Sequence, residues 1–365
     1  MIKWIEKFKR RRPKLGEAAP ALARSLANSR LALSPPSDPS LAIYDEMLRD
    51  PLVKSAITVK KLGALAVPWQ LVPSDSSETA KRNARFIEHV FEELDGDATT
   101  VLFDSMDALA KGYSVLEKVY AISERKFEGT IRFRSLKPKD PALFSFDVDE
   151  FLNVRELSLR VPGEKEVRLP KGKFVVFTYG AKYGDPFGEP DLRAAYRHWL
   201  VKRELIRQWS AHLEKFASPT VLGKFKRGLP EDAQSALLDA LDKLQRQSAV
   251  VYPDDVEVSL LEASRIAPSG YVEALDFHNR EIARAILGQT LTTEDSQRVG
   301  SLALGKVHLQ VLIMQLAGLR KHLAEKVMNE QIIRPLIDLN FGPGAYPRFV
   351  FEEPDLDVFR TGKVV

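Results

Sequence analysis

The residues from Gly300 to Lys306 have the GxxxxGK spacing of a loop that wraps phosphate groups with its backbone N–H groups. Val307 stands where such a loop needs a Ser or Thr hydroxyl for Mg²⁺, and Leu302 to Leu304 favour a helix. The sequence therefore predicts that Gly305 lies inside a helix. A nucleotide-binding protein that uses residues 300–306 is kept as an alternative.

A second place for chemistry is the carboxylate pair Glu294 and Asp295, which precedes His308. Carboxylates beside an imidazole can act as general acid and base in a hydrolase. However, the sequence contains neither a GxSxG nor an HExxH motif that would supply a nucleophile or an activated water. We therefore expect a solvated loop followed by a histidine on a helix surface.

Metal chemistry is not predicted. The sequence has no Cys, and its six His never occur as HxH or HxxxH, so the common thiolate and imidazole ligand patterns are missing. We predict no metal and no cofactor. No apolar run approaches the roughly 20 residues that span a bilayer, so no membrane partner is predicted either.

The charge of the chain is concentrated at its start. Residues 1–15 hold seven Lys or Arg and one Glu, a net charge of +6, whereas the whole chain carries +4. Residues 16–365 therefore sum to −2. A protein that grips DNA through many phosphate contacts needs a basic face. A nearly neutral body argues against a sequence-reading DNA binder and is compatible with a channel past which DNA slides.

One long helix dominates the middle of the sequence. Pro190 and Asp191 predict its start, with Asp191 as the capping carboxylate, and Ser218-Pro219 ends it. Apolar or long side chains recur at three- and four-residue spacing: Leu192, Ala195, Tyr196, Trp199, Leu200, Arg203, Ile206, Trp209 and Leu213. The opposite face is predicted to carry the charged residues Arg193, Arg197, Lys202, Arg207, Glu214 and Lys215. Tyr196, Trp199 and Trp209 could stack on bases, but their spacing on one face predicts packing.

The elements before this helix are predicted to be helices and then short strands. Helices are indicated at Tyr44–Leu48, Leu52–Leu65, Glu78–Leu94 and Val101–Ala110, with Gly112 as a C-cap. Strands are indicated at residues 67–73, 114–120, 129–136, 143–147, 154–161 and 173–179. The strands between 127 and 180 favour an antiparallel sheet. The predicted fold class is therefore α+β.

The elements after the long helix begin with a small mixed unit. Strands are predicted at Thr220–Phe225, Ala249–Tyr252 and Val256–Leu261, with a helix from Leu229 to Leu244. A second helix follows over Ser269–Leu287, then the polar loop of residues 288–300 and a long helix from Ser301 to Leu339 that bends near Pro335. A last strand is predicted over Ala345–Glu352.

The amino-acid sequences of two parts of the chain resemble those of a known family. LRAAYRHWLVKRE at 192–204, followed by EKFASPT at 214–220, resembles the first stem helix of tailed-bacteriophage portal proteins, among them the Mu-like and thermophilic-phage portals. A second set of residues is similar to the wing domain of these proteins: Tyr44, Met47, Asp50, Trp69, Ala110–Ser114, Glu117 and Tyr120. The resemblance covers about residues 41–352.

The resemblance implies a domain order for a portal-like α+β chain. Residues 1–40 would be a disordered or extended basic arm, 41–190 the first part of a discontinuous wing, and 191–217 stem helix 1. The clip would be 218–264, stem helix 2 would be 265–288 and the tunnel loop 289–300. Residues 301–352 would form the long helix and the return to the wing. Portals commonly continue into a helical crown, so 353–365 would be a stub in which the crown is reduced or absent; the alternatives are that the chain is truncated or belongs to a minimal relative.

The resemblance also implies a structural function, so that the protein would not be an enzyme. Portal proteins form a ring, usually of twelve subunits, at one capsid vertex, through which double-stranded DNA is packaged and ejected without sequence specificity. The implied partners are further copies of the chain, double-stranded DNA, the major capsid protein and scaffold, the terminase large subunit and the head-tail adaptor. The implied location is the virion, and the host cytoplasm during assembly. A non-ring head scaffold or adaptor is an alternative.

The implied site residues fall into two sets. The tunnel loop would present residues towards the DNA: Thr290, Thr292, Thr293, Glu294, Asp295, Gln297 and Arg298. Gln297 and Arg298 could contact phosphates, whereas the two carboxylates would repel them. The stem helix would contribute Arg193, Arg197, Trp199, Lys202, Arg203 and Trp209.

Overall fold

A computed structural model describes residues 40–149, 153–160, 163, 165–216, 220–224, part of 230–239, 257–261, 269–289 and 302–352. Residues 215–216, 220–224, 257–261 and 302–308 are described by their backbone. The chain divides into two compact units, which we call unit 1 (1–196 and 283–365) and unit 2 (197–282). The predicted arm up to residue 39 and the predicted stub 353–365 lie outside the described residues.

Unit 1 begins with five helices: α1 (Leu41–Met47), α2 (Pro51–Leu65), α3 (Glu78–Glu92), α4 (Ala98–Ser105) and α5 (Ala108–Lys111). The Asp50 carboxylate caps α2 by accepting from the backbone N–H of Leu52 at 2.9 Å. The single helix predicted over Val101–Ala110 is instead two helices. The Ser105 carbonyl accepts the Ser114 hydroxyl at 2.7 Å, which takes a carbonyl away from the helix ladder at the break.

Two three-stranded antiparallel sheets follow. In the first, β2 (Tyr113–Ile122) lies between β3 (Ile131–Lys139) and β7 (Phe174–Thr178); in the second, β5 (Val154–Leu159) lies between β4 (Phe144–Val148) and β6 (Val167–Leu169). Tyr113, Phe144, Leu157 and Phe174 share one buried cluster with Val115. The antiparallel strands that the sequence predicted are confirmed, but β6 was missed because three residues are too short to show alternation.

The early and late parts of the chain meet in a two-stranded sheet. Strand β1 (Trp69–Val72) pairs antiparallel with β10 (Arg348–Phe351), the predicted last strand, with Trp69 opposite Phe351. The rings of Trp69 and Phe349 stack with their centroids 4.8 Å apart. This pairing makes unit 1 a discontinuous structure.

One helical run, predicted over Ser301–Leu339, leads into β10. It consists of α8 (Leu302–Leu323), a π-helical segment (Ala324–Ile333) and α9 (Arg334–Phe341). Pro335 has no backbone N–H to donate and its ring crowds the preceding turn. The residues immediately before it are π-helical, and the predicted bend near Pro335 itself stays a prediction.

Three carboxamide side chains attach this helical run to strands, and we call them the carboxamide clamps. Each donates to and accepts from one residue's backbone, as a paired strand would. Gln331 accepts from the Val176 N–H at 2.8 Å and donates to its carbonyl at 2.8 Å. Asn340 does the same to Ile131, at 2.7 and 2.8 Å, and Asn329 to Phe349, at 2.8 and 3.2 Å. The clamps satisfy backbone groups on β7, β3 and β10.

Unit 2 contains most of α6 (Asp191–Phe216) and of α7 (Ser269–Leu287), the two predicted long helices. Between them, β8 (Thr220–Lys224) pairs antiparallel with β9 (Glu257–Leu261). The other elements predicted for the clip fall wholly or partly outside the described residues: the strand Ala249–Tyr252 entirely, and the helix Leu229–Leu244 except for scattered helical positions between 231 and 239.

Candidate functional site

The predicted tunnel loop is not described. Thr290, Thr292, Thr293, Glu294, Asp295, Gln297 and Arg298 all lie outside the described residues, between the end of α7 and the start of α8. Their role therefore stays a prediction. The carboxylate pair weighed as an acid–base site lies there as well.

The GxxxxGK segment has a helical backbone where it is described. Leu302 to Lys306 form the first turns of α8, so the prediction that Gly305 lies inside a helix is confirmed. A phosphate-wrapping loop needs backbone N–H groups that point at the ligand rather than along a helix. The described part of this segment does not support the nucleotide-binding alternative.

Two tryptophans of α6 behave as packing residues. Trp199 is 5% exposed, and the guanidinium of Arg203 lies 4.7 Å from its ring centroid. Trp209 stacks nearly parallel on Tyr271 of α7, with centroids 6.4 Å apart. The two rings are thus engaged with neighbouring side chains, as the packing interpretation predicts.

The charged face of α6 requires one correction. Lys202 was grouped with the solvated charges but is only 9% exposed. At 3.6 residues per turn it lies about 60° around the helix from Trp199, on the packed side. Arg197 is exposed and Arg193, which belongs to unit 1, is half-buried.

Unit 2 leaves much of its apolar surface uncovered. On α6, Val201, Ile206 and Leu213 are 40–46% exposed, and on α7, Val272 and Phe277 are 42% and 49% exposed. Among the apolar side chains described in unit 2, the buried ones are Trp199 and Ile282. In the second half of α6, the predicted apolar seam is therefore exposed at Ile206 and Leu213.

A histidine pair joins the two helices of unit 2. The Nδ1 atoms of His198 and His278 lie 3.1 Å apart, with ring centroids 5.3 Å apart. One Nδ1–H therefore donates to the other Nδ1, which must be unprotonated. Burial, followed by the neighbouring His198, lowers the pKa of His278 below its ordinary value, against the opposing effect of Glu281. Sequence spacing could not reveal this pair because its members are 80 residues apart.

A buried lysine organises the start of α6 within unit 1. The Lys60 ammonium donates to Asp191 at 2.7 Å, to the Tyr179 hydroxyl at 3.1 Å and to the Ile286 carbonyl at 3.1 Å. Tyr179 in turn donates to the second oxygen of Asp191 at 3.1 Å. An ammonium has three N–H donors, so all of them are used, and α2, α6 and α7 meet at this point.

The electrostatics of this cluster follow from burial and pairing. Burial alone lowers the pKa of Lys60, but Asp191 and then Tyr179 outweigh it, so that this pKa lies above its ordinary value. Burial raises the pKa of Asp191, although Lys60 opposes the shift. A nucleophilic lysine needs an unprotonated, unpaired amine, and Lys60 has neither property. The arrangement anchors a helix and does not suit catalysis.

The predicted role of Asp191 as a helix cap is wrong. It was expected to cap α6, but it is the first residue of the helix, and its carboxylate accepts from Lys60 and Tyr179. The signal that could have found the cluster is a lysine in the helix of 51–65 at a position that the helical pattern buries.

A half-open cavity of about 420 Å³ adjoins the cluster, and we call it the base cavity. Its walls come from α2, the loop before α6, the end of α7 and helix α8 within unit 1: Lys60, Tyr179, Gly180, Asp191, Ala285, Ile286, Gly288, Gln315, Gly318, Leu319 and His322. Gly318 exposes bare backbone there, because a β-carbon added to it would meet no atom within 4 Å.

Neither a metal centre nor a membrane span is found in the parts of the chain that the structure describes. There, three or more His, Asp or Glu side chains never gather as metal ligands would. The helices in those parts are also too polar or too short to cross a bilayer.

Comparison with known proteins identifies relatives among phage portals. The family of the portal protein of Mu bacteriophage matches residues 41–361. The chain is 25% identical to the portal protein of Escherichia phage Mu over 299 residues, which are 81% of this chain and 56% of that protein. It is also 25% identical to the Mu-like prophage FluMu protein gp29 of Haemophilus influenzae, over 86% of this chain and 61% of that protein. The chain thus spans somewhat more than half the length of these relatives.

Solved structures share the fold. A chain of the virion of a native gene transfer agent particle aligns with a TM-score of 0.61 at 12% identity, covering 92% of this chain and 91% of that chain. A chain of the neck of an empty gene transfer agent particle, computed with C6 symmetry, aligns with a TM-score of 0.59 at 14% identity, covering 87% of each chain. Since the Mu family matches most of the sequence, the chain belongs to the portal protein family of tailed bacteriophages.

Proposed function

We propose that copies of this chain close into a ring of about twelve subunits at one capsid vertex and form the channel for double-stranded DNA. Membership of the portal family supports this proposal. A similar fold also occurs in a gene transfer agent neck computed with C12 symmetry, with a TM-score of 0.57 and 14% identity. The role is structural and needs no catalytic group.

The observation that carries the proposal is the open apolar surface of unit 2. Exposed apolar side chains on both stem helices, such as Ile206 and Leu213 on α6 and Phe277 on α7, are unfavourable in water and favour burial against a partner. A ring closes through a heterologous interface, in which each subunit offers two different surfaces to its neighbours. Long helices with apolar residues at several positions around them can supply both.

The ring is tested by electron microscopy and mass determination of the purified protein. We expect rings with a central hole, and we expect Ile206→Glu to prevent them because a charge would be buried at the interface. The matched control is Ile122→Glu, since Ile122 is 65% exposed on β2 of unit 1. A wild-type chain that remains a stable monomer at all concentrations would contradict the proposal and favour a scaffold or adaptor.

The DNA channel is assigned to the segment from Thr290 to Arg298, on the family resemblance. The nearly neutral body of the chain is what a sliding duplex needs, because many phosphate contacts would hold it in place. Deletion of Thr290–Arg298 is expected to preserve rings while DNA packaging or retention fails. Loss of the rings in this variant would show that the segment is structural.

The remaining partners follow from the same proposal. The ring would sit in the capsid shell and contact the major capsid protein and scaffold during assembly in the host cytoplasm. It would dock the terminase large subunit during packaging and the head-tail adaptor afterwards. Co-purification of each protein with assembled rings, compared with the Ile206→Glu variant, tests whether these contacts need the ring.

A further inference from the structure

We propose that helices α6 and α7 of unit 2 form a pair with two different lateral faces, and that face A of each subunit packs on face B of the next copy of the chain. Face A consists of Val201, Glu204 and Phe277, and face B of Arg203, Ile206, Leu213 and Val272. This inference rests on the proposed ring and deepens it, because it names the two surfaces that meet when the ring closes.

Two contacts fix how α6 and α7 lie against each other. The rings of His198 and His278 have centroids 5.3 Å apart, and Trp209 stacks on Tyr271. From the first contact to the second, the residue number rises along α6 and falls along α7, so the helices run antiparallel. These four side chains also mark the direction in which each helix faces the other.

The exposed apolar side chains of α6 lie on both sides of that direction. At about 100° of rotation per residue, Ile206 and Leu213 point about 50–70° to one side, and Val201 points about 70° to the other. All three are 40–46% exposed. The helix therefore offers apolar side chains on both of its flanks.

The exposed apolar side chains of α7 divide in the same way. Val272 and Phe277, which are 42% and 49% exposed, point about 110° to opposite sides of the contact with α6. Because the helices are antiparallel, rotation in the sense of rising residue number ends on the same side of the pair for both of them. Val272 thus lies on the side of Ile206 and Leu213, and Phe277 on that of Val201.

The two remaining sides of the pair, which point away from the contact between the helices, carry charged side chains. Those that point more than about 120° from the contact are all exposed: Arg203, Glu204, Arg207 and Glu214 on α6, and Glu273, Asp276 and Arg280 on α7. Apolar flanks between charged outer sides suit a helix pair that is covered on its left and right and stays in water elsewhere. Copies placed side by side in a ring meet that requirement.

Charge complementarity favours a second copy of the chain as the partner. Arg203 and Glu204 are adjacent and so lie at nearly the same height of α6, but Arg203 is turned towards the side of face B and Glu204 towards that of face A. In copies placed side by side, Arg203 of one subunit therefore meets Glu204 of the next. A carboxylate offers about four acceptor positions, and Arg207 and Gln208 use three of those of Glu204.

The net charges of the two sides also differ. Arg207 and Arg280 point about 170° from the contact and belong to neither side. Of the other charged side chains in residues 197–214 and 269–282, one cation and three carboxylates lie on the side of face A (−2) and two of each on the side of face B (0): Arg197, Glu204, Glu273 and Glu281 for A, and Lys202, Arg203, Glu214 and Asp276 for B. Like charges therefore oppose contact between two A faces, whereas A against B brings no such repulsion.

Mixing two variants tests whether face A meets face B. Phe277→Glu disables face A and leaves face B intact, and Ile206→Glu does the reverse, because each places a charge where an apolar side chain would be buried. Both positions are exposed in the subunit, so each variant is expected to fold, which circular dichroism and thermal unfolding check. The matched control is Arg280→Glu, which places the same side chain on the outer side of α7.

We expect each face variant alone to weaken self-association by about tenfold or more, and Arg280→Glu to assemble like the wild type. An equimolar mixture of Phe277→Glu and Ile206→Glu should give dimers that grow no further, because each such pair keeps one intact A–B contact. Mass measurement over a dilution series gives all of these results. A mixture that stays monomeric while the wild type forms rings overturns the inference and leaves the proposed function standing. A wild-type chain that never assembles overturns both.

Reversal of one charge pair adds an independent measurement. Arg203→Glu should weaken self-association about fivefold, because two carboxylates would then meet across the contact. The double variant Arg203→Glu with Glu204→Arg should recover the loss, because opposite charges meet again. A double variant as weak as Arg203→Glu alone would show that these two residues do not face each other across the A–B contact.

Discussion

Units 1 and 2 differ in how completely they bury their apolar side chains and pair their polar groups. Unit 1 closes on itself: its sheets share a buried aromatic cluster, its edge strands are completed by the carboxamide clamps, and its buried Lys60 has a partner for every donor. In unit 2, by contrast, Trp199 and Ile282 are the buried apolar side chains among those described, and helices α6 and α7 expose several others.

In the proposed ring, this difference indicates which part of each subunit depends on its neighbours. Burying a large apolar side chain contributes about 1.5–3 kcal/mol, and unit 2 leaves several such side chains partly in water. Unit 1 also exposes apolar side chains, such as Ile122, but among the described residues it holds all of the buried apolar side chains other than Trp199 and Ile282. We therefore infer that unit 1 is stable by itself, whereas the helices of unit 2 gain much of their stability on assembly.

The largest effect on the free energy of unfolding is expected from the buried ion pair between Lys60 and Asp191 in unit 1. Lys60→Met removes one member of a buried ion pair and leaves Asp191 uncompensated, which should lower the free energy of unfolding by about 3–5 kcal/mol. Urea unfolding of the full chain measures this change in free energy. The double variant Lys60→Met with Asp191→Leu should recover most of the loss, and a cost below about 1 kcal/mol for Lys60→Met alone would show that the cluster is not an anchor.

The carboxamide clamps should give an intermediate effect. Gln331→Leu leaves the N–H and carbonyl of Val176 without this partner, and each buried unsatisfied polar group costs about 1–3 kcal/mol. The matched substitution in unit 2 is Gln208→Leu, since Gln208 bonds to Glu204 on an exposed helix face; it should change stability by less than about 0.5 kcal/mol. Equal values for the two variants would remove the contrast between the units.

The smallest effect is expected from the histidine pair of unit 2. Because the pKa of His278 is lowered in the folded state, the unfolded chain takes up a proton first as the pH falls. The pair therefore stabilises fully above the ordinary histidine pKa of about 6.5, and this contribution is lost on acidification below it. Thermal unfolding from pH 7.5 to 5 should show the loss, and His278→Gln should flatten it. An unchanged slope in this variant would rule out the pair as the cause.

Sequence periodicity predicted most of the long elements and little of what joins them. The bounds of α6 and α7 follow from apolar spacing and from Pro or Gly at their ends. The sequence did not predict three features: strand β6, the break between α4 and α5, and the burial of Lys202. They depend on very short elements or on the exact position of a residue around a helix, which apolar spacing does not show. The sequence predicts Asp191 as a helix cap, whereas in the structure its carboxylate pairs with Lys60.

The contacts that hold the site together lie beyond sequence reasoning for a physical reason. Lys60 and its partner Asp191 are separated by 131 residues of sequence, and Gln331 and Val176 are separated by 155. A single polar side chain carries no mark of its partner, because its bonding depends on which elements the fold brings next to it. The apolar periodicity predicted α6 and α7, but the base cavity required the three-dimensional arrangement of α2, α6, α7 and α8.

Hydrogen–deuterium exchange of the wild-type chain, above and below the concentration at which it assembles, tests the central claim most directly. The account predicts that amides of residues 197–216 and 269–282 exchange much more slowly in the assembled state, while those of β2, β3 and β7 are equally protected in both. Full protection of the unit 2 helices in the isolated subunit would contradict it, because those helices would then need no neighbour.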